Sequence, residues 1–193
     1  MTTQHFTLAV GDGEAGANQM VAVPLNSKPL GPNASERARR LRKHLIASLR
    51  GLRTMKDPVG SASPVRAEPD GFTGEVVHAA CTLCRGYCCK GGGEHAYLDE
   101  RVMARVRQAN PDLDARSVMR LYLDRVPAIS HEGSCVFHAA SGCTLDRALR
   151  SDVCNSYFCT GLGNFLKIAE AAQSVVVMAG QGEDVRLSPP LTR

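Results

Sequence analysis

The sequence predicts a mostly α chain: a small irregular cysteine-rich domain with a metal centre, and a short β-hairpin near the C-terminus. Three observations lead there. Eight cysteines fall into two dense bunches, with none outside residues 81–159. Several segments repeat apolar residues at helical spacing. With no Trp, 4 Tyr and 5 Phe, the apolar interior is modest, the situation in which a metal staple adds most to stability. At 193 residues the chain holds one domain of ordinary size plus tails.

Residues 1–34 are rich in Gly, Asn and Pro and carry two short apolar or alternating runs, Phe6–Val10 and Met20–Leu25. They read as an N-terminal arm, either a weak hairpin or disordered. Asn33 or Ser35 can cap a helix from Glu36, along which Ala38, Leu41, Leu45, Leu49 and Leu52 recur at three- and four-residue steps. This defines a basic amphipathic helix over 35–56. Pro58, Pro64 and Pro69 among Gly, Ser and Ala disfavour helix and central strand, so 57–71 reads as a linker. The cysteine-cluster domain then covers 72–187.

Within that domain, Leu98–Ala109 and Asp114–Val126 have helical patterns, separated by the turn signal Asn110-Pro111. Val102, Met103 and Val106 of the first can pack on Val118, Leu121 and Tyr122 of the second. A third helix is expected over Gly163–Gln173. Ser174–Ala179 and Asp184–Leu187 flank Gly180-Gln181-Gly182, a hairpin pattern. Residues 188–193, with two prolines, form a frayed tail. No fixed-period repeat is present, and the two cysteine bunches differ too much in spacing to be a duplication.

The net charge of +4 is local: Ser35–Lys56 carries +7, which leaves −3 for the rest. Arg37, Arg39, Arg40, Arg42, Lys43, Arg50 and Arg53 surround the apolar stripe of that helix. Such a face can meet nucleic acid or an anionic surface, but a solvated basic face is the favoured reading, with a protein partner the other candidate. No interleaved aromatic set is present for stacking on single strands. No apolar run approaches the roughly 20 residues needed to cross a bilayer, and Met1–Val10 lacks the basic-then-apolar pattern of a secretory signal. These features place the chain in the cytoplasm, where clustered cysteines mean metal or redox chemistry rather than disulfides.

The candidate metal ligands are Cys81, Cys84, Cys88, Cys89, Cys135, Cys143, Cys154 and Cys159. Thiolates at short intervals can converge on one ion about 2.3 Å from each sulfur. Cys81 and Cys84 form a Cys-x-x-Cys step across a tight turn, and Gly86 supplies a residue tolerant of positive φ, as in zinc knuckles. Cys88 and Cys89 point in different directions on either a helix or a strand. One of them therefore joins Cys81 and Cys84, and the other serves a second site or stays unligated. The second bunch is spaced too widely for a self-contained knuckle and suits loops folding back over the first. Spacing leaves open one site drawing two sulfurs from each bunch, or two sites sharing all eight.

The run Cys81–Cys89 resembles the signature of the CxxCxxxCC cysteine-cluster family, zinc- or iron-chelating proteins related to the cysteine-rich part of flagellin lysine N-methylases. The resemblance continues through Cys135-Val136-Phe137, Gly142-Cys143 and Arg150–Cys159, and covers about 78–162. It departs at Ser151, where the family often has Pro. The resemblance implies a zinc ion or iron, including a [4Fe-4S] cluster. The knuckle-like Cys-x-x-Cys-x-Gly favours zinc.

Beside the cysteines, Gly91-Gly92-Gly93 either lets backbone approach a metal or an anion, or is a flexible loop. His131 and His138 flank Cys135 and are expected to support or stand apart from the site rather than ligate. Asp146, Asp152 and Glu132 could assist chemistry, yet no phosphate loop, zincin pair or nucleophile elbow occurs. Gly161-Leu162-Gly163 falls short of a dinucleotide fingerprint. Two readings follow: a metal-binding protein with a structural or accessory role, or an iron–sulfur or zinc enzyme. A methylase-like activity is implied only by the resemblance.

Overall fold

The computed structural model describes residues 19–56 and 67–193. The Phe6–Val10 run and most of the linker lie outside the described residues.

Two strands from opposite ends of the chain set the architecture. β1 (Gln19–Pro24) runs parallel to β6 (Ser174–Gln181), from Gln19 opposite Val175 to Pro24 opposite Gly180. Both follow the two-residue alternation of a strand, burying Val21 and Val23 on β1 and Val175, Val177 and Ala179 on β6. β7 (Asp184–Leu187) returns antiparallel on β6. Gly182 makes that turn at φ 61°, the left-handed region that glycine enters without steric cost. β8 (Leu191–Thr192) pairs with the start of β6.

The resulting four-stranded sheet makes the protein mixed α/β rather than mostly α. The C-terminal hairpin is present as expected. Met20–Leu25, however, is not half of a local hairpin: its partner lies at the far end of the chain, beyond the reach of a periodicity argument. The final residues are likewise paired rather than frayed, with the Arg193 N–H bonded to the Gln173 carbonyl at 3.0 Å.

One face of the sheet is covered by α2 (Gly71–Cys84) and α6 (Thr160–Leu166). Val76, Ala80 and Cys84 are buried at four-residue steps and share an interior with Val21, Val177, Leu162 and Phe165. The sequence reading missed α2 because Gly71, Gly74 and Pro69 look like linker; the available signal was the four-residue recurrence from Phe72 to Cys84. α6 starts earlier and is shorter than the expected Gly163–Gln173 helix, because Cys159 is its N-cap and turns occupy the chain after Lys167.

The other lobe packs α1 (Ser35–Leu52) on α3 (Glu100–Ala109) and α4 (Ala115–Leu123). Asp99 and Asp114 cap the latter two, their carboxylates accepting the Val102 and Ser117 N–H groups at 3.0 and 2.7 Å. Leu41, Leu45 and Leu49 join Val102, Met103, Val106, Val118, Tyr122, Val136 and Phe137 in a second interior. α1 is thus an integral part of the core.

Two small ladders finish this lobe: β2 (Leu30–Pro32) with β3 (Ile129–His131), and β4 (His138–Ala139) with β5 (Gly142–Cys143). Among the described residues no helix is long and apolar enough to cross a membrane.

Candidate metal centre

The cysteines lie where the two interiors meet. Cys84 belongs to the sheet-side interior and Cys159 packs against it; Cys135 belongs to the helical interior, with Cys89 and Cys143 against it. Cys81 and Cys84 sit in the last turn of α2, where a three-residue step puts them on one face. The expectation of a tight-turn knuckle is therefore half right, since a helix supplies the pair and the turn follows it. Arg85 and Gly86 both adopt left-handed φ, 53° and 66°, and reverse the chain. The reversal aims the Tyr87 N–H at the Cys84 sulfur, 3.3 Å away.

Asn26, fully buried, anchors this turn. Its N–H donates to the Cys84 carbonyl at 2.8 Å, and its side-chain amide donates to the Arg85 carbonyl at 3.2 Å. These are two of the carbonyls that a helix end leaves without an intrahelical partner. The sequence reading did not identify Asn26; a lone Asn next to an apolar run carries no visible signal.

Cys88 and Cys89 lie on a 3-10 turn, Tyr87–Gly91, between the lobes. The second bunch docks on it through backbone: the Cys135 N–H donates to the Cys89 carbonyl at 2.9 Å and the Val136 N–H to the Gly93 carbonyl at 2.8 Å. Gly92 makes this possible, because a Cβ there would stand 2.8 Å from the Cys135 Cβ and 3.1 Å from its sulfur. The glycine run is thus a close-approach surface for Cys135.

Arg37 braces the same loop. Its guanidinium donates to the Ser134 carbonyl, to the Ser130 hydroxyl at 3.2 Å and to Glu94 at 3.0 Å. That removes Arg37 from the solvated basic face to which its position on the helix assigned it. Arg105 of α3 fixes the segment leading to Cys154, donating to the Ala148 and Arg150 carbonyls at 2.6 and 2.5 Å. Ser151, the departure from the family pattern, caps α5 (Asp152–Ser156) by accepting the Cys154 N–H at 3.1 Å.

Several of the thiols lie close enough for their charges to act on one another, and Cys88 acts on Cys81, Cys84, Cys89 and Cys154 alike. Desolvation pushes Cys81 up to about 12, and the charges of Cys88, Cys84 and Cys159 push the same way. Part of the Cys81 surface stays open to solvent. Cys84 is raised by desolvation, opposed by the Tyr87 N–H, and raised again by Cys88 and Cys159.

Burial lifts Cys135 to about 12; the Phe137 N–H opposes this, and Cys143 and Cys154 add to it. Cys154 is raised by desolvation, with Ser151 opposing and Cys143 and Cys88 adding. The Cys89 thiol donates to Cys88. That bond lowers Cys88 to about 7 and raises Cys89, which also feels burial and the charges of Cys88, Cys135 and Cys143. Like charges gathered this way cannot all ionise without a counter-charge.

All eight thiols are free, so none forms a disulfide. Among the described residues, however, no group of three or more His, Cys, Asp or Glu side chains stands positioned to hold a metal ion. The fold-class expectation of a formed metal centre is corrected accordingly: the sulfurs are neighbours, but their side chains do not converge on a common point.

His131 and His138 are both buried, with ring centroids 4.5 Å apart. His138 accepts or donates at Ser134 Oγ, 2.7 Å away, and His131 meets the Lys28 carbonyl at 2.9 Å. A Cβ on Gly86 would lie 2.4 Å from His138 Nε2, so this imidazole backs directly onto the turn after Cys84. Burial holds it down to about 4. Of the carboxylates, Asp146 pairs with Arg125 at 3.1 Å and Asp152 with Arg105 at 3.3 Å. Glu132 lies on a separate polar hollow beside Arg37 and Glu94.

No protein-family model matches the chain, and neither a curated protein nor a solved structure matches it. The likeness to the CxxCxxxCC cysteine-cluster family rests on the motif residues alone.

Proposed function

We propose that this protein binds metal through two four-thiolate sets, Cys81, Cys84, Cys88 and Cys159 on one side and Cys89, Cys135, Cys143 and Cys154 on the other, in a structural or accessory role. The observation that carries the reading is that all eight thiols are free, with Cys81, Cys84, Cys88 and Cys159 lining one cavity and Cys89, Cys135 and Cys143 gathered at the helical interior. The amide donors at Cys84 and Cys135 support it, since N–H groups aimed at sulfur favour the thiolate that a metal requires. Binding then needs the sulfurs to rotate about χ1 from their present positions, one bond per cysteine.

Zinc is the ion we assign, because a closed four-thiolate site following a glycine turn suits it. A reducing compartment such as the cytoplasm keeps these thiols available. An accessory role would use the outer face of α1, where Arg42, Lys43, Arg50 and Arg53 are exposed; a protein partner suits it better than nucleic acid or a membrane surface. The second reading is an enzyme carrying a [4Fe-4S] cluster or a catalytic zinc, methylase-like by the motif resemblance. The cavity beside the first quartet favours it.

Elemental analysis and an ultraviolet–visible spectrum on anaerobically purified protein separate these. Two zinc ions per chain and no visible absorbance are expected, and a brown protein bleached by reductant establishes the second reading. Cys84→Ser should lose metal and melting temperature together, because binding energy of a structural ion is folding energy. Full metal content with an unchanged melting temperature in that variant refutes the ligand assignment.

A further inference from the structure

The sheet of β1, β6 and β7 is apolar on both sides. Residues opposite one another in register share a side, which groups Met20 with Val176, Ala22 with Met178 and Leu187, and Pro24 with Gly180 and Val185. They alternate with Val21, Val23, Val175, Val177 and Ala179, the side that α2 and α6 cover. The grouped side faces outward: Met20 is 46% exposed, Val185 49% and Leu187 60%. Asp184 and Arg186 of β7 pair in register with Gln181 and Ala179, so the outward side carries no charge from these strands. A sheet with one face on the core and one in water alternates apolar with polar residues, and here the polar set is missing.

We propose that this outer face docks a second copy of the chain, the two sheets stacking about 10 Å apart around a twofold axis parallel to β6. Such an axis sets β6 on β6 and β1 of one copy over β7 of the other. Small Ala22 then lies over bulky Leu187, and Pro24 over Val185, the small-against-large pairing that lets two layers interdigitate. The face therefore matches itself, and it offers no charge with which to select an unlike, charged partner. Three strands about 4.8 Å apart and up to about 25 Å long give a face on the order of 400 Å². Two such faces with their rim bury about 1,200 Å² in all, the low end for a specific pair. Pairing is accordingly reversible and concentration-dependent. The inference is independent of the cysteines and of the metal-binding reading.

The test is sedimentation equilibrium on the full chain from micromolar to near-millimolar protein, with reductant present so that no intermolecular disulfide forms. The mass should climb from 20.7 kDa toward twice that value. Leu187→Asp should weaken association at least tenfold while leaving the melting temperature of the dilute, monomeric protein unchanged, because that side chain faces solvent in the single chain. Val185→Asp should do the same and guards against a folding defect in the first variant. Ile129→Asp, at an exposed apolar residue on β3 outside this sheet, should leave association as it is. A chain that stays at 20.7 kDa throughout overturns the proposal, as does a dimer that both Asp variants leave intact or that Ile129→Asp weakens equally. Association that appears only after residues 1–18 are deleted also overturns it, since the chain's own N-terminal segment would then be what covers the face.

Discussion

Replacing Gly92 by alanine isolates close packing from backbone strain. Gly92 has an ordinary right-handed conformation, φ −75°, so a side chain costs nothing there through the backbone. What it meets is Cys135, 2.8 Å away at Cβ, where carbon atoms normally rest about 3.5–4.0 Å apart. The loop bearing Cys135 must therefore retreat by about 1 Å, and overpacking of that kind costs about 1–3 kcal/mol. In a chain of this size that lowers the melting point by about 2–12 °C.

Gly93→Ala is the control. Its φ of 46° makes alanine strained, at about 1 kcal/mol, but the new Cβ meets only His95 at 4.0 Å. Zinc counting joined to thermal melts distinguishes the two variants. Gly92→Ala should fall from two bound ions to one, and Gly93→Ala should keep two with a slightly lower melting point. A Gly92→Ala protein with both ions and wild-type stability refutes the claim that this glycine seats Cys135.

Three further outcomes are expected. Asn26→Ala keeps the backbone bond to the Cys84 carbonyl but removes the side-chain donor to the Arg85 carbonyl and the acceptor of the Lys28 N–H, and should cost about 1–3 kcal/mol in urea unfolding, with metal binding at Cys81 and Cys84 weakened alongside. His138 is held down to about 4, mainly by burial and then by the charges of His131 and Arg85. Against an unfolded value of about 6.5, its neutral form stabilises the fold above pH 6.5, and that contribution disappears as pH falls toward 4. Metal-free protein should lose about 2–3 kcal/mol from this group between pH 7.5 and 4.5, and His138→Gln should flatten that part of the curve. Finally, Cys81 and Cys135, both near 12, must release protons to bind an ion, so apparent zinc affinity should rise at least tenfold per pH unit between pH 6 and 8. A pH-independent affinity would show that these thiols are not ligands.

Local chemistry was readable from the sequence; distant pairing was not. Asp99 and Asp114 announce their helices because a cap acts within three residues, and Gly86 announces its turn for the same reason. The α1 stripe was legible, but not that Arg37 would leave the solvent face, since its partners Glu94, Ser130 and Ser134 come from other loops. β1 needed β6, and α2 hid behind glycines whose linker-like look outweighed its four-residue apolar step. At the cysteines, spacing left the partition open; in three dimensions Cys81, Cys84, Cys88 and Cys159 line one cavity, while Cys135 belongs to the helical interior with Cys89 and Cys143 against it.

The parallel pairing of β1 with β6 has a bearing on how this molecule is born. Every cysteine lies in the stretch enclosed by those two strands, so all eight leave the ribosome after β1 and before the partner that β1 awaits. The helical lobe has all its elements once β5 has emerged, while closure of the sheet must wait for β6. During that interval α2 and its two thiols lack the strand they pack on, which makes the nascent chain most vulnerable to oxidation just before β6 joins β1.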